Sequence, residues 1–437
     1  MRFVTLAKLK FWDQLYSNSA IAISSGEDYY QQIYNNYDLQ KFKTIWLLNY
    51  SLLFVAFLSF VNFKKFKSRQ LGLVNLGLNA IVMLLFLIQG LYVLSELRES
   101  FLTQELAIDL GTANTLIIYK DKLVVDEPSI IARNRRTGEI LAVGTEAQKM
   151  HGKTHEDIKT IRPLKDGVIA DFEAAEQMIS HFIKMINKKS AFGSPQLRMV
   201  ICIPSGITAV EKRAVKESAE RAGGKEVYMI PEPMAAAIGI GIDVSAPMGN
   251  MIIDIGGGTT EIAVIALSGI VSDESIRVAG DDFTNDIIEY MRRQHNLMIG
   301  DRTAEFIKVE VGAALPELEN PPEDCPVNGR DLMTGIPKQI MVSYSEIALA
   351  LDKSISKIEE AVMKALELTP PELSADIYQT GLYLTGGGAL LRGLDKRISS
   401  KTKLPVYVAE DPLRAVVRGT AIALKDIKNH KTLFNQS

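Results

Sequence analysis

The sequence predicts a layered α/β fold of two lobes, preceded by two transmembrane helices. Three features indicate this arrangement. Short β-rich runs alternate with helical patterns from residue 103 onward, which is the order of elements that a layered α/β fold requires. Three glycine-rich turns each follow a short apolar run, and two uncharged segments before residue 100 are long enough to cross a hydrocarbon core.

The three glycine-rich turns span residues 109–115, 254–261 and 385–389, and each follows a run that is typical of a β-strand. Because glycine has no side chain, such turns let backbone N–H groups approach an anion closely. A single Gly-Gly-Gly also marks any bulge or tight turn, but Asp109 and Asp254 stand at two of the strand ends. Two aspartates that face each other across a cleft can hold hydrated magnesium together with substrate phosphates. The turns therefore predict a site for a nucleoside triphosphate with magnesium.

Two uncharged segments, residues 44–63 and 71–95, contain 20 and 25 residues and are rich in Leu, Phe, Val and Ile. Buried core helices are the alternative, but such helices normally carry a polar stripe, so we expect two membrane spans. Residues 1–43 are not typical of a cleavable signal, because no apolar stretch follows the basic start, and their role is unassigned. The positive-inside count slightly favours a cytoplasmic connector between the spans. Nucleotide chemistry requires the cytoplasm, so we place residues 1–43 and 100–437 inside.

The region after residue 103 divides into two similar halves. Each half opens with a strand, an aspartate and a glycine turn, so we expect a first lobe at 103–250, a second lobe at 251–428 and a tail at 429–437. A nucleotide would lie between the lobes, where the strand ends converge. Further strands are predicted at 116–119, 123–125, 129–132 and 227–230, and helices at 172–187, 211–222 and 234–241.

Composition and isolated motifs disfavour several other functions. A net charge of −3 and a pI near 6.1 give no general attraction to nucleic acid. The two cysteines, Cys202 and Cys325, lie in an apolar run and a Pro-rich loop, so we expect ordinary thiols in a reducing compartment. His151 and His155 have the i, i+4 spacing of a metal pair. Gly152 between them breaks a helix and no third ligand is evident, so we expect no zinc site there.

Five separate blocks of sequence occur in the region after residue 103: AIDLGTANT (107–115), IRPLKDGVIAD (161–171), IPSGIT (203–208), EPMAAAIG (232–239) and LTGGGALLRGL (384–394). In this order they closely resemble the MreB family of bacterial actins, within the superfamily of actin, sugar kinases and heat-shock-chaperone ATPases. The resemblance covers residues 103–428. It implies an actin-like, ribonuclease H-like duplicated fold whose two lobes form an ATPase.

The resemblance also implies roles for residues around the turns. Asp109 and Asp254 resemble the magnesium-organising carboxylates of the family. Glu232 resembles the catalytic glutamate that orients the attacking water, with Thr259 beside it, and phosphoryl transfer to water depends mainly on such positioning. From the residues alone, the preferred interpretation of Glu232 is a carboxylate that stabilises the start of the following helix. The phosphates are expected against Thr112, Ala113, Asn114, Gly257, Gly258 and Thr259.

Two further segments resemble contacts that the family makes to the nucleoside. Glu305 and Lys308 match residues that reach it, but Phe306 stands where the family usually has an arginine, which leaves the nucleobase preference open. Residues 191–193 stand where some family members carry a membrane loop, and they offer one large apolar side chain. The turn expected against adenine and ribose comprises Gly386, Gly387, Gly388 and Ala389.

The resemblance implies an ATPase that forms head-to-tail filaments on the cytoplasmic face of the inner membrane and directs cell-wall synthesis and rod shape. The expected cofactors are ATP and Mg²⁺. The expected partners are further copies of the chain, inner-membrane lipid and the cell-wall elongation machinery, and not nucleic acid. A sugar-kinase-like phosphotransferase is the main alternative on this fold, although no additional substrate pocket with a catalytic base is evident. For a chaperone ATPase, the residues after Gly393 are too few to form a peptide-binding domain.

Overall fold

The structure, a computed structural model, divides into two compact units, Met1–Phe101 and Leu102–Ser437, which are described separately. In the second unit the described residues are 103–186, 196–425, 427 and 431–434. The expected membrane loop at 191–193 lies outside them. In the first unit the described residues are 50, 53, 54, 56, 57, 59–61, 64, 70, 73, 74, 76, 77, 80, 81, 83, 84, 87 and 88.

The described residues of the first unit are mostly helical, and their large apolar side chains are exposed. Leu53, for example, is 70% exposed and Met83 is 69% exposed. Within the part of the chain that the structure describes, no helix has the length and apolar character needed to cross a membrane. Much of both expected spans, 44–63 and 71–95, lies outside the described residues, as does the whole of 1–43. The expected pair of transmembrane helices therefore finds no support in the described residues.

The first lobe of the second unit is built on a five-stranded sheet, with smaller sheets beside it. Its strands are β1 (Thr103–Leu110), β2 (Asn114–Tyr119), β3 (Lys122–Pro128), β4 (Ile131–Asn134), β5 (Ile140–Val143), β6 (Ile158–Ile161), β7 (Leu164–Lys165), β8 (Val168–Ile169), β9 (Gln196–Ile203) and β10 (Gly224–Pro231). Its helices are α1 (Thr145–Met150), α2 (Phe172–Ile186), α3 (Ala209–Arg221) and α4 (Glu232–Gly239). The large sheet has the order β3–β2–β1–β9–β10, and the smaller ones are β5–β4–β6 and β7–β8.

The second lobe is built on another five-stranded sheet. Its strands are β11 (Asn250–Ile255), β12 (Thr260–Ala266), β13 (Gly269–Ile276), β14 (Leu297–Met298), β15 (Cys325–Asp331), β16 (Pro337–Val342), β17 (Leu382–Thr385) and β18 (Val406–Val408). Its helices are α5 (Gly280–His295), α6 (Asp301–Val311), α7 (Tyr344–Glu367), α8 (Pro371–Thr380) and α9 (Leu394–Thr402), with short 3-10 helices at Gly387–Leu390 and Pro412–Arg414. Two helices, α10 (Ala415–Lys425) and α11 (Lys431–Phe434), follow this lobe in the chain. The large sheet has the order β13–β12–β11–β17–β18, beside a smaller β14–β15–β16 sheet.

The two large sheets have the same topology. In each, the first strand pairs antiparallel with the second, and the second pairs antiparallel with the third. The first strand also pairs in parallel with a fourth strand, which pairs in parallel with a fifth. Antiparallel neighbours need only tight turns, whereas parallel neighbours need crossover connections, and helices supply these in both lobes. The prediction of a duplicated, two-lobed α/β fold is confirmed.

Amphipathic helices form the core under each large sheet. Met178 and Phe182 lie one turn apart on α2 and pack in the buried cluster of the first sheet. Phe283 and Ile287 do the same on α5 under the second sheet. Truncation of a buried phenylalanine such as these to alanine costs about 3–5 kcal/mol. These two cores fix the sheets and thereby the strand ends that face the cleft.

Helices α4 and α10 pack against each other, and their residues share a third core cluster with strands of both large sheets. Their backbones touch: a Cβ atom on Gly239 would lie 1.8 Å from Ala415 O, and one on Gly419 would lie 1.7 Å from Ala235 O. Only glycine permits so close an approach. Although α10 follows the second lobe in the chain, it packs on β1, β2 and β9 of the first.

Several element boundaries differ from the predictions by a few residues, and two of these differences have local reasons. The strand expected at 129–132 begins at Ile131, because Ser129 Oγ donates a hydrogen bond to Gly111 O at 2.6 Å and is held at the first glycine turn. The helix expected at 234–241 begins at Glu232, since Pro233 needs no hydrogen-bond partner in the first helical turn.

Candidate functional site

A row of polar side chains crosses the second large sheet near the carboxyl end of β11. Asp254 is the direct cross-strand partner of Glu261 on β12 and of Thr385 on β17, and Glu261 is the partner of Ser275 on β13. Directly opposite residues point to the same face of a sheet. Thr385 Oγ1 donates a hydrogen bond to Asp254 Oδ1 at 3.0 Å.

The first large sheet repeats this arrangement around Asp109. Ile108 of β1 pairs with Ile201 of β9, which puts Asp109 beside Cys202. The Cys202 thiol donates to Asp109 Oδ1 at 3.1 Å. In each lobe, therefore, the aspartate of the first strand accepts a hydrogen bond from the neighbouring parallel strand, so Asp109 and Asp254 have equivalent surroundings.

Burial dominates the ionisation of both aspartates. It raises the pKa of Asp109 to about 6 and that of Asp254 to about 7, from an ordinary value of 3.8. The negative charge of Asp109 contributes to the raised pKa of Asp254, which indicates that the two carboxylates face the same cleft. The hydrogen bonds from Cys202 and Thr385 oppose these shifts, because they favour the charged carboxylates.

The first two glycine turns meet across the cleft. A Cβ atom on Gly257 would lie 3.0 Å from Ala113 N, and one on Gly258 would lie 2.7 Å from Thr112 Oγ1. Larger residues would push the turns apart, so the glycines are required by the contact itself. Asn114 ends the first turn and begins β2. The structure thus places Thr112 and Ala113 of the first turn against Gly257 and Gly258 of the second.

Glu232 and Thr259 lie at the same cleft. Glu232 is the first residue of α4 and is partly exposed. Burial, followed by the charges of Glu261, Asp254 and Asp109, raises its pKa well above the ordinary range of a glutamate. Thr259 is buried at the end of the second glycine turn. Glu232 therefore has the strongly perturbed environment that is common in functional sites.

A polar cluster joins α5 and α6 at the other end of the second glycine turn. Lys308 Nζ donates to Gly280 O at 2.8 Å and lies 2.7 Å from Glu305 Oε2. Thr284 Oγ1 donates to the Glu305 carboxylate at 2.9 Å. Gly280 N donates to Gly256 O, in the second glycine turn, at 3.1 Å. Glu305 and Lys308 are thereby positioned next to the predicted phosphate site. Phe306, on the same helix, is 49% exposed.

The third glycine turn packs directly on Asp254. Gly386 has φ +77°, and a Cβ atom there would lie 2.5 Å from Asp254 Oδ1. The chain then enters the 3-10 helix Gly387–Leu390, where a Cβ atom on Gly388 would lie 2.2 Å from a side chain of β11 and Ala389 is buried. All three turns therefore border one cleft.

The donor set fits magnesium. Mg²⁺ is commonly bound by one or two carboxylates together with waters and phosphates. Asp109 and Asp254 have that chemistry. The histidine pair makes other contacts: His151 Nδ1 lies 2.8 Å from Thr160 Oγ1, and His155 accepts from the backbone of its own turn.

Sequence reasoning missed several residues of the cleft. Cys202 is the free, buried thiol that was expected, but its hydrogen bond to Asp109 was not predicted, and Glu261 had no predicted role. Arg162 Nη2 donates to Asp281 Oδ1 at 3.0 Å and to Thr112 O at 3.3 Å, which links the lobes beside the phosphate turns. Strand register and contacts between distant parts of the chain bring these residues to the cleft, so a local sequence pattern does not reveal them. Glu261 is the exception, because its position directly after the second glycine turn could have suggested a place in the cleft.

The chain matches the family model described as MreB/Mbl protein over residues 103–432. It is 49% identical over 325 residues to the cell shape-determining protein Mbl of Bacillus subtilis, an alignment that covers 74% of this chain and 96% of the relative. It is also 49% identical over 342 residues to the cell shape-determining protein MreB of Escherichia coli, with coverage of 77% and 97%.

Solved structures of related proteins are also similar to this chain. MreB5 of Spiroplasma citri bound to AMPPNP aligns with a TM-score of 0.71 at 39% identity and covers 76% of this chain and 98% of that one. The MamK double helical filament aligns with a TM-score of 0.63 at 23% identity, with coverage of 74% and 99%, and shares the fold. The family match, the sequence identity and the duplicated two-lobed fold together show that the chain belongs to the MreB/Mbl family.

Proposed function

We propose that this chain binds ATP with magnesium in the cleft between its lobes. The observation that supports this most strongly is the convergence of three glycine turns around Asp109 and Asp254. Glycine turns of this kind can present backbone N–H groups to phosphates, and Lys308 adds a positive charge beside them. Magnesium, when bound, would neutralise phosphate charge. The related MreB5 structures contain AMPPNP and ADP, which supports the same class of ligand here.

Hydrolysis of the bound ATP is the proposed activity. Glu232, whose carboxylate lies close to those of Asp109 and Asp254, would orient the attacking water, with Thr259 on the opposite wall of the cleft. Such positioning and charge neutralisation account for most of the catalysis of phosphoryl transfer. A neutral Glu232 could also donate a hydrogen bond, and proximity to bound cationic charge would return its pKa toward the ordinary range.

The proposed biological role is formation of filaments that direct cell-wall synthesis and determine rod shape. Two curated relatives at 49% identity are cell shape-determining proteins, and head-to-tail contacts that do not close generate filaments. We further propose that the filaments lie on the cytoplasmic face of the inner membrane and engage the cell-wall elongation machinery. Exposed apolar side chains among the described residues of 50–88 support lipid contact, because such surface is costly to leave in water.

Sedimentation of the full chain with anionic liposomes, with and without Mg–ATP, tests this function. The expected result is filaments in electron micrographs of the pellet that require Mg–ATP, together with phosphate release. Asp254→Ala should abolish both. Soluble monomers that consume ATP only after a small acceptor is added would overturn the filament proposal and favour a phosphotransferase.

A further inference from the structure

Glu261 is a buried carboxylate whose two oxygen atoms both accept hydrogen bonds. Its exposed fraction is 0%. Oε2 accepts from Ser205 N at 3.0 Å and from Ser205 Oγ at 2.5 Å, and Oε1 accepts from Ser275 Oγ at 2.6 Å. Bonds to a charged acceptor are stronger than neutral ones. Loss of the Ser275 hydroxyl would leave Oε1 without this donor, whereas loss of the Ser205 hydroxyl would leave Oε2 with only the backbone N–H of Ser205.

These bonds join the two lobes. Ser205 lies in the loop between β9 and α3 of the first lobe, whereas Glu261 and Ser275 lie on β12 and β13 of the second. The same loop packs tightly on these strands, since a Cβ atom on Gly206 would lie 2.8 Å from Ser275 Cβ. Glu261 is therefore the centre of a polar contact between the lobes, and no water separates its partners from it at these distances.

Glu261 also adjoins both halves of the proposed hydrolytic site. It follows Thr259 by two residues and lies directly opposite Asp254. Its charge is the second largest cause, after burial, of the raised pKa of Glu232. Glu232 follows β10 of the first lobe, whereas Thr259 precedes β12 of the second. The separation between Glu232 and Thr259 therefore depends on how the two lobes are held.

We propose that Glu261, through Ser205 and Ser275, is a positioning residue that holds the lobes at the separation at which Glu232 and Thr259 act on one water. This inference rests on the proposed ATP hydrolysis. Ser205 and Ser275 are not among the residues expected to hold the phosphates, and their contact with Glu261 sets the separation of Glu232 and Thr259. Its loss should therefore affect hydrolysis more than nucleotide affinity. If the contact only stabilised the fold, its loss would lower Tm and leave kcat unchanged.

The test compares Ser205→Ala with Ser205→Thr in the full chain. Alanine removes the hydroxyl donor, whereas threonine keeps it. Ser354→Ala is the matched control, because Ser354 Oγ donates to Asp286 Oδ2 at 2.5 Å in a serine–carboxylate pair that lies within the second lobe. Single-turnover phosphate release gives the hydrolysis rate, a fluorescent ATP analogue with magnesium gives the affinity, and thermal unfolding gives Tm.

We expect Ser205→Ala to lower the hydrolysis rate about tenfold, which corresponds to about 1.4 kcal/mol of barrier, with affinity within about twofold of wild type. Ser205→Thr should retain the wild-type rate, and Ser354→Ala should lower Tm without changing the rate. If Ser205→Ala does not fold, Ser275→Ala tests the other carboxylate oxygen with the same expectation.

Two results would overturn the inference in distinguishable ways. Wild-type rates in both Ser205→Ala and Ser275→Ala, with hydrolysis still lost in Glu232→Ala, would remove the role of Glu261 and leave the proposed ATPase intact. Absence of Mg–ATP binding and hydrolysis by the wild-type chain would overturn the proposed function itself, and the positioning role with it.

Discussion

Replacement of Gly419 by alanine tests whether the close approach of α4 and α10 is required by the fold. A Cβ atom at this position would lie 1.7 Å from Ala235 O and 2.6 Å from Ala235 C. Non-bonded carbon atoms rest about 3.5–4.0 Å apart, so the helices would have to separate by about 2 Å at this contact. Backbone atoms lie on both sides of this contact, and no change of rotamer can relieve it.

Two opposing effects decide the sign of the change in stability. Alanine is favoured over glycine in a helix interior by about 1 kcal/mol, whereas overpacking of a close-packed core costs about 1–3 kcal/mol and more where backbone must move. We therefore expect a net loss of about 2 kcal/mol in the free energy of unfolding. With about 2.1 cal/mol/K of unfolding entropy per residue, the second unit of roughly 330 residues would lose about 3 °C in Tm.

The assay is thermal unfolding of the full chain followed by circular dichroism, with Ile422→Ala as the matched control. Ile422 lies on the same helix and is 46% exposed, so its truncation should change the free energy of unfolding by no more than about 0.5 kcal/mol. An unchanged or higher Tm for Gly419→Ala would refute the reasoning, because helix propensity would then outweigh the contact. Since Glu232 begins α4, we also expect slower ATP hydrolysis in this variant.

The arrangement of carboxylates in the cleft leads to three further predictions. Asp254→Ala should abolish magnesium-dependent ATP binding, because a carboxylate at the phosphate site is lost; undiminished binding in a fluorescence titration would contradict the site assignment. Glu232→Gln should keep ATP affinity within about twofold but lower phosphate release by roughly 10²-fold or more, and an unchanged rate would move the water-orienting role to another residue. In the ligand-free chain Asp254 and Asp109 keep their protons up to about pH 7 and about pH 6, whereas unfolded aspartates lose them near 3.8. Because the folded chain binds these protons more tightly than the unfolded chain, protonation of the two aspartates stabilises the fold. This stabilisation is complete below pH 3.8 and is lost as the pH rises through the folded-state pKa values of Asp109 and Asp254. Denaturant titrations across this window should therefore show falling stability, with a shallower fall in Asp254→Asn.

The sequence by itself determined the general fold and the parts of the site that are local in the chain. Strand, aspartate and glycine turn are adjacent residues, so their pattern is visible without coordinates, and the alternation of elements implies a layered α/β fold. Positions 254–258 illustrate this, because the strand, its aspartate and the three glycines are consecutive and repeat the pattern at 109–111.

The tertiary structure decided which residues meet. Cys202 donates to Asp109 across 93 positions of sequence, and Glu261 binds Ser205 across 56. Gly419 contacts Ala235 only because α10 returns to the first lobe. Such contacts depend on strand register and on the packing of distant helices, and both are set by the burial of many side chains together rather than by any local pattern. The residues that tune the cleft and hold its lobes therefore become visible only in the folded chain.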